Sequence, residues 1–243
     1  MLKPFLLKVV GIFSLIILMT WAISYINGII LERQQRNEQV KYDIAKSSAG
    51  EQTVIGPILV VPYIEEYVAN SVENGVNKAE LKRDTHFVHV MPEQLNLEGG
   101  FTNEYKKLGI YKALMYQLGG QVKGKFKLPA NLGVTPIHPN GKLTFQAAYV
   151  SLGISDPRGI SQKPAFTFNH QAYEFEQGSH TKGLGNGIHA QVENLNQPYA
   201  QTIPFELTFN LRGMEKFHFI PVAEDNNIHL TSSWQHPHFN GSF

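Results

Sequence analysis

The sequence predicts a mainly β protein, with an N-terminal transmembrane helix followed by an antiparallel, β-sandwich-like domain. Three observations carry this. An uncharged apolar run extends from Val9 to Leu31. After Gly50 the apolar period falls to two, most clearly in "IPFELTFNLRG". Turn dipeptides such as Asn140-Gly141 separate the alternating runs.

Residues 1–49 form the first unit, a membrane anchor with a juxtamembrane helix. Val9 to Leu31 spans about 23 residues, roughly 35 Å as a helix, which exceeds a hydrocarbon core of about 30 Å. The run must be helical, because backbone groups in lipid have to pair internally. The lipid bilayer is therefore the expected partner of residues 9–31. A cleaved signal peptide is the alternative, with Ala22-Ile23-Ser24 as a small-residue cleavage site. The apolar run continues through Ile26, Ile29, Ile30 and Leu31, an extension that an uncleaved anchor needs and a signal peptide does not. Lys3 and Lys8 precede the span; Arg33, Arg36, Lys41 and Lys46 follow it, so charge leaves the orientation open. Leu31 to Ser48 reads as a polar extension of the same helix. Val40 and Ile44 share one face, and Gly50 is the stop.

Residues 50–243 form the β-rich unit. In "GEQTVIGPILVVPY", Val54 to Val61 reads as the first strand and joins the sheet to the stem. Pro57 has no N–H to give a ladder, so it belongs at an edge or a bulge; Pro62 would end the pairing or offset it. "GIYKALMYQ" is a strand in which Tyr111, Met115 and Tyr116 are core or cross-strand residues. "QVKGKFKL" sets Lys123, Lys125 and Lys127 on one solvated face. "ANLGVTPIHPNG" breaks both regular periods and reads as a loop. "KLTFQAAYV" alternates through Leu143, Phe145, Ala147 and Tyr149 as one strand. "AFTFNH" and "AYEFEQ" follow with Phe166, Phe168, Tyr173 and Phe175 inward. In "IPFELTFNLRG", Phe205, Leu207, Phe209 and Leu211 form the buried face, and Gly213 closes the strand. Turns are expected at Asn74-Gly75, Gly99-Gly100, Gly119-Gly120, Asn140-Gly141, Asn186-Gly187 and Asn226-Asn227. No second membrane span and no internal repeat is present in the sequence.

Composition removes several classes of chemistry. A formal net charge of +1 gives no electrostatic footprint for nucleic acid. The absence of cysteine excludes disulfides, thiolate catalysis and cysteine-based metal sites. Ten histidines raise the question of a metal centre. His86 and His89 fall on opposite faces of a strand, and Pro237 makes the His236–His238 segment irregular. His189, His218 and His229 alternate with apolar neighbours, as solvent-facing positions do. Asp156 and Arg158 flank Pro157 in a turn, with the aspartate capping local N–H groups. "GLGNG" at residues 183–187 lacks the following helix that a phosphate cradle needs. No HExxH or GxSxG motif occurs. Trp234 reads as a packed residue. No catalytic, cofactor-binding or metal-ligating residue is assigned. A tethered hydrolase with a His/Asp site is the alternative from another class, and a glycan- or peptide-binding module built on Trp234 is a third.

Taken in order, "GEQTVIGPILVVPY", "LGIYKALMYQ", "SLGISDPRGI", "GLGNGIHA", "NLRGMEKFHFIPV" and "LTSSWQHPHFNGSF" resemble the CreD family of inner-membrane proteins. Leu108 departs from that pattern, where an arginine is expected before the glycine. The resemblance implies an N-terminus in the cytoplasm and an extracytoplasmic, periplasmic β domain. It also implies a multi-helix membrane region beyond Phe243, so that this chain looks like the N-terminal part of a longer protein. It implies a non-enzymatic role in cell-envelope integrity, linked to a two-component system, colicin tolerance and β-lactam response. The implied contacts are other envelope proteins or the chain's own further membrane helices, and no cofactor.

Overall fold

The computed structural model describes residues 2–73, 76–193, 195, 197–235 and 237–241. The expected Asn74-Gly75 turn and the His236–His238 pair involve residues outside this set. A single helix, α1 (Leu2–Ser47), carries the apolar segment and its polar extension without a break. Its large apolar side chains from Val10 to Leu31 are exposed, which suits a lipid environment. It is the one helix among the described residues that is long and apolar enough to cross a membrane. It ends where Ser48 N–H turns back to the Ala45 carbonyl at 3.3 Å.

The remainder is β structure. In chain order the strands are β1 (Gln52–Glu73), β2 (Val76–Val90), β3 (Pro92–Leu108), β4 (Tyr111–Leu128), β5 (Lys142–Phe145), β6 (Tyr149–Ile154) and β7 (Ile160–Phe168). They continue as β8 (Gln171–Tyr173), β9 (Glu176–Gln177), β10 (Gly187–Gln191), β11 (Gln201–Met214), β12 (Phe217–Ile220) and β13 (Asp225–Ser232). One sheet runs β12-β1-β6-β10-β9, with β2 and β5 also on β1; the other runs β13-β3-β4-β11-β7-β8. Their inner faces share one core, in which Leu59, Val61, Val150, Leu152 and Ile188 of the first sheet join Leu97, Leu118, Phe126 and Leu207 of the second. Burying each such side chain contributes about 1.5–3 kcal/mol. The sandwich-like expectation holds, and the inward face of β11 is the one its alternation predicts.

Pairing is antiparallel, as expected, except at two sheet edges, where β12 pairs with β1 and β13 with β3 in parallel. Both edge strands come from the C-terminal segment, β12 half-buried and β13 mostly exposed. Three expectations need correction. "KLTFQAAYV" is two strands, β5 and β6, because β1 changes partner between them. Gly99-Gly100 and Gly119-Gly120 are not turns; they face one another across β3 and β4. Asn226-Asn227 lies within β13. Glycine serves here for its missing Cβ: one added to Gly120 would sit 2.6 Å from Phe209 Cζ. Gly124 and Phe205 repeat the arrangement two pleat periods further along, since Phe205 pairs with Gly124 as Phe209 pairs with Gly120. The hairpin between β3 and β4 instead turns at Gly109–Ile110, with Gly109 at φ +62°.

The prolines of β1 mark changes of partner. β12 accompanies β1 only as far as Ile55, β2 joins at Leu59, and the β6 register shifts between Ile55 and Ile58. Pro57 sits in that gap, within a bulge and not at an edge. Pro62 pairs opposite Phe87, and its carbonyl accepts from Gln146 N–H at 2.8 Å. N–H and C=O of one extended residue leave on the same side. The missing donor of Pro62 therefore faces the break between β5 and β6, and β1 continues past it.

Candidate functional site

Polar side chains converge in two places. The first lies on β1, where Tyr63, Glu65 and Tyr67 share one face through the two-residue period of a strand. Glu65 is fully shielded from solvent. Its Oε1 accepts from the His138 backbone N–H at 2.7 Å, and His138 Nδ1 stands 3.5 Å from the same oxygen. His86 Nε2 approaches Oε2 at 3.9 Å from β2. The His138 ring stacks on Tyr67 with centroids 3.5 Å apart, and the His86 ring stacks on Tyr63 at 5.2 Å. Gly141 admits the carboxylate, since a Cβ there would collide with Glu65 Oε1.

Burial drives the Glu65 carboxyl upward, but the His138 backbone N–H, its ring and the Ile137 backbone N–H outweigh this and hold it below the ordinary carboxylate range. The Tyr67 hydroxyl is pushed up, first by its bond to Asp84, at 2.9 Å. Glu65 Oε2, His86 Nε2 and His138 Nδ1 are, among the described residues, the buried side-chain atoms with no hydrogen-bond partner. No group of three or more His, Asp or Glu among the described residues is placed to hold a metal ion. What the cluster does visibly is pin the loop that bears His138 onto the β1–β2 ribbon.

The second site is the junction between α1 and the β body. Asp156 caps the short 3-10 turn Pro157–Gly159 by accepting from Arg158 N–H, as the turn reading expects. It also takes a two-point bond from the Arg158 guanidinium, Nε to Oδ1 at 2.8 Å and Nη2 to Oδ2 at 2.7 Å. That pairing, first of all, holds the Asp156 carboxyl below its usual range. The third arm of the guanidinium, Nη1, donates to the Lys46 carbonyl at 2.8 Å. The last carbonyls of a helix have no partner within it, and the helix dipole favours a cation there. Beneath them Gln52, fully buried, donates to the Asp156 and Arg212 carbonyls at 2.9 and 3.0 Å. Ile44 is buried against Ala113, Met115 and Met214, and Lys41 pairs with Glu215 at 2.9 Å. A cleft of about 510 Å³ opens beside this joint, lined by Ser47, Ser48, Glu104, Tyr105, Lys106 and Arg158.

The other expected residues are dispersed. His189 is buried, against the solvent-facing expectation. The 178–187 segment covers β10, so that His189 Nδ1 meets the Gly178 carbonyl at 2.8 Å and its ring stacks on His180 at 3.8 Å. His89, His218 and His229 are exposed and separate. Lys123, Lys125 and Lys127 form the expected solvated face, with Lys125 and Lys127 paired to Glu93. Tyr116 is a core residue whose hydroxyl donates to the Lys216 carbonyl at 2.8 Å; burial pushes that hydroxyl up. Trp234 is half-buried, edge-on to Tyr105 at 5.7 Å. Residues 183–186 form a loop that runs into β10, which begins at Gly187.

Sequence reasoning missed Glu65 and His138, which lie 73 positions apart. The one available signal was the adjacent pair Glu65-Glu66 in an otherwise apolar and aromatic stretch.

The sequence pattern of the family described as "Inner membrane protein CreD" matches residues 4–243. A curated relative of that description from Escherichia coli (strain K12) is 27% identical over 245 residues, which covers 100% of this chain and 52% of the relative. The chain thus spans about half the length of the curated relative it matches.

Proposed function

Since this chain belongs to the CreD family of inner membrane proteins, we propose that it is a non-enzymatic, membrane-anchored envelope protein. Its α1 crosses the inner membrane, its β body stands in the periplasm, and it serves cell-envelope integrity, including the response to colicins and β-lactams. The observation that carries this reading is the junction. An exposed apolar helix passes without interruption into a polar stalk whose last turn is clamped by Arg158 and whose Ile44 is buried in the β body. The polar clusters support it too, since both brace one element against another. Asp156 and Arg158 secure the stalk, and Glu65 secures the loop that bears His138. The body would present its surfaces to other envelope proteins, or to further membrane helices of a longer chain.

The absence of cysteine makes orientation directly measurable. A single cysteine placed at exposed Glu98 should react with a membrane-impermeant maleimide in cells whose outer membrane alone has been opened. Reaction only after the inner membrane is broken would overturn the periplasmic placement. Extraction of the chain from membranes by alkaline carbonate would overturn the anchor.

A further inference from the structure

The ribbon formed by β3 and β4 extends well beyond the sandwich, and its direction is fixed by α1. Ala113 and Met115 pack against Ile44, with Val40 on the edge of the same cluster. Met115 pairs with Met214, whose N–H donates to the Gly50 carbonyl at 3.0 Å, just past the end of α1, whereas Ala113, nearer the ribbon's tip, packs with Ile44. Passing from Met115 toward Tyr111 therefore follows α1 backward, toward its apolar segment. Ile44 is thirteen residues past Leu31, roughly 20 Å along a helix. The Gly109–Ile110 turn lies three or four residues beyond Ala113, a further 10–13 Å or so along an extended strand. The turn thus reaches to within about 7–10 Å of the level where the apolar run ends. A headgroup layer about 5–7 Å deep and the reach of long side chains span that gap.

The chemistry of the tip matches that level. Ile110 is 77% exposed and Leu108 49%, the two projecting residues of a tight turn. Water gives no reason to place them there. Lys106, Lys107 and Lys112 surround them, and no acid occurs between Tyr105 and Lys112. Lys106 is partly engaged, with its Nζ on Ser48 Oγ at 2.7 Å, and Lys112 lies over the Tyr105 ring. An apolar point with a basic collar and an aromatic neighbour is the pattern of a segment seated at a membrane surface.

We propose that the β3–β4 tip is a second membrane contact, with Ile110 and Leu108 in the interfacial layer of the bilayer that α1 crosses and Lys107 and Lys112 on anionic headgroups. This rests on the anchored reading above. The test uses the full chain in proteoliposomes, each variant with one cysteine carrying an environment-sensitive fluorophore. The positions are Ile110→Cys at the tip, Ile16→Cys in the span and Glu98→Cys on the body, in vesicles with or without about one-third phosphatidylglycerol. Ile110 should show blue-shifted emission, quenched by spin-labelled lipid, and more strongly with the anionic lipid; Glu98 should stay aqueous. Lys107→Gln with Lys112→Gln should weaken the tip's partitioning into anionic vesicles, read by the quenching, by up to about 25-fold, about five-fold for each lysine at the surface. An aqueous Ile110 beside a lipid-quenched Ile16 overturns the tip contact and leaves the anchor standing, whereas an aqueous Ile16 overturns the anchor. A blue-shifted Ile110 that lipid quenchers cannot reach marks a protein partner instead, and overturns the lipid assignment.

Discussion

Replacing Gly120 with alanine tests whether the paired glycines serve packing or backbone freedom. On propensity alone the change should help, since glycine within a strand is worse than alanine by about 0.5–1 kcal/mol. The structure reverses that sign. The new Cβ would lie 2.6, 3.0 and 3.2 Å from Phe209 Cζ, Cε1 and Cε2. Phe209 is only 7% exposed and belongs to the shared core, and the apolar cavity beside it holds only about 10 Å³, too little to receive a displaced ring. Overpacking of this kind costs about 1–3 kcal/mol. For a domain of this size each kcal/mol moves the melting midpoint by about 2–4 °C, so a fall of roughly 2–12 °C is expected. The assay is thermal unfolding of the full chain in detergent, followed by near-ultraviolet circular dichroism. Phe209→Leu shortens the ring that the methyl group meets. Gly120→Ala should therefore cost much less in that background, and the two changes should not add. An unchanged or raised midpoint for Gly120→Ala, or strict additivity with Phe209→Leu, would refute the packing argument.

Ile44→Ala should release the stalk more than it unfolds the body. The usual cost is about 2–5 kcal/mol, and hydrogen exchange should rise across residues 40–47 while β11 amides stay protected. Arg158→Gln should strip the cation from the end of α1 and speed exchange near Lys46, leaving the thermal midpoint of the β body in place; a large fall in that midpoint would contradict a local clamp. Glu65 has a folded-state pKa below its ordinary value near 4.5, so its contribution to stability is complete above that value and is lost as pH falls through the lowered one. Glu65→Gln should accordingly flatten the acid limb of the stability profile, read by urea unfolding between about pH 3 and 6, and an unaltered limb would remove Glu65 from the account.

Much of the architecture was legible because it rests on local periodicity. The apolar run of α1 declares itself over about 23 contiguous residues and the alternating face of β11 within a dozen. What was not legible depends on partners distant in the chain. Gly119-Gly120 looks the same whether it turns the chain or lies beneath a ring, and the ring is Phe209, about ninety residues later. The parallel pairings of β12 and β13 are fixed by where the C-terminal segment returns, which no short window encodes. His189 alternates like an outward residue, yet the 178–187 segment covers it. The turn that holds Asp156 and Arg158 is legible from Pro157 and Gly159 beside them. Their grip on Lys46 could not be read, because it requires knowing that the helix end lies beside that turn.

The unbroken passage of α1 into the body has a mechanical consequence. With its last turn held by Arg158, Ile44 packed into the body and Lys41 paired to Glu215, the helix would carry the body with it as it inclines. Transmembrane helices lean by about 20° on average and lean further when the bilayer thins. The sixteen residues from Glu32 to Ser47 make a lever of about 24 Å, so a 20° lean would carry the joint about 8 Å sideways. A change in bilayer thickness would thereby become a displacement of the sheets, and the direction in which the β3–β4 ribbon meets the surface would decide which leans are resisted and which are free.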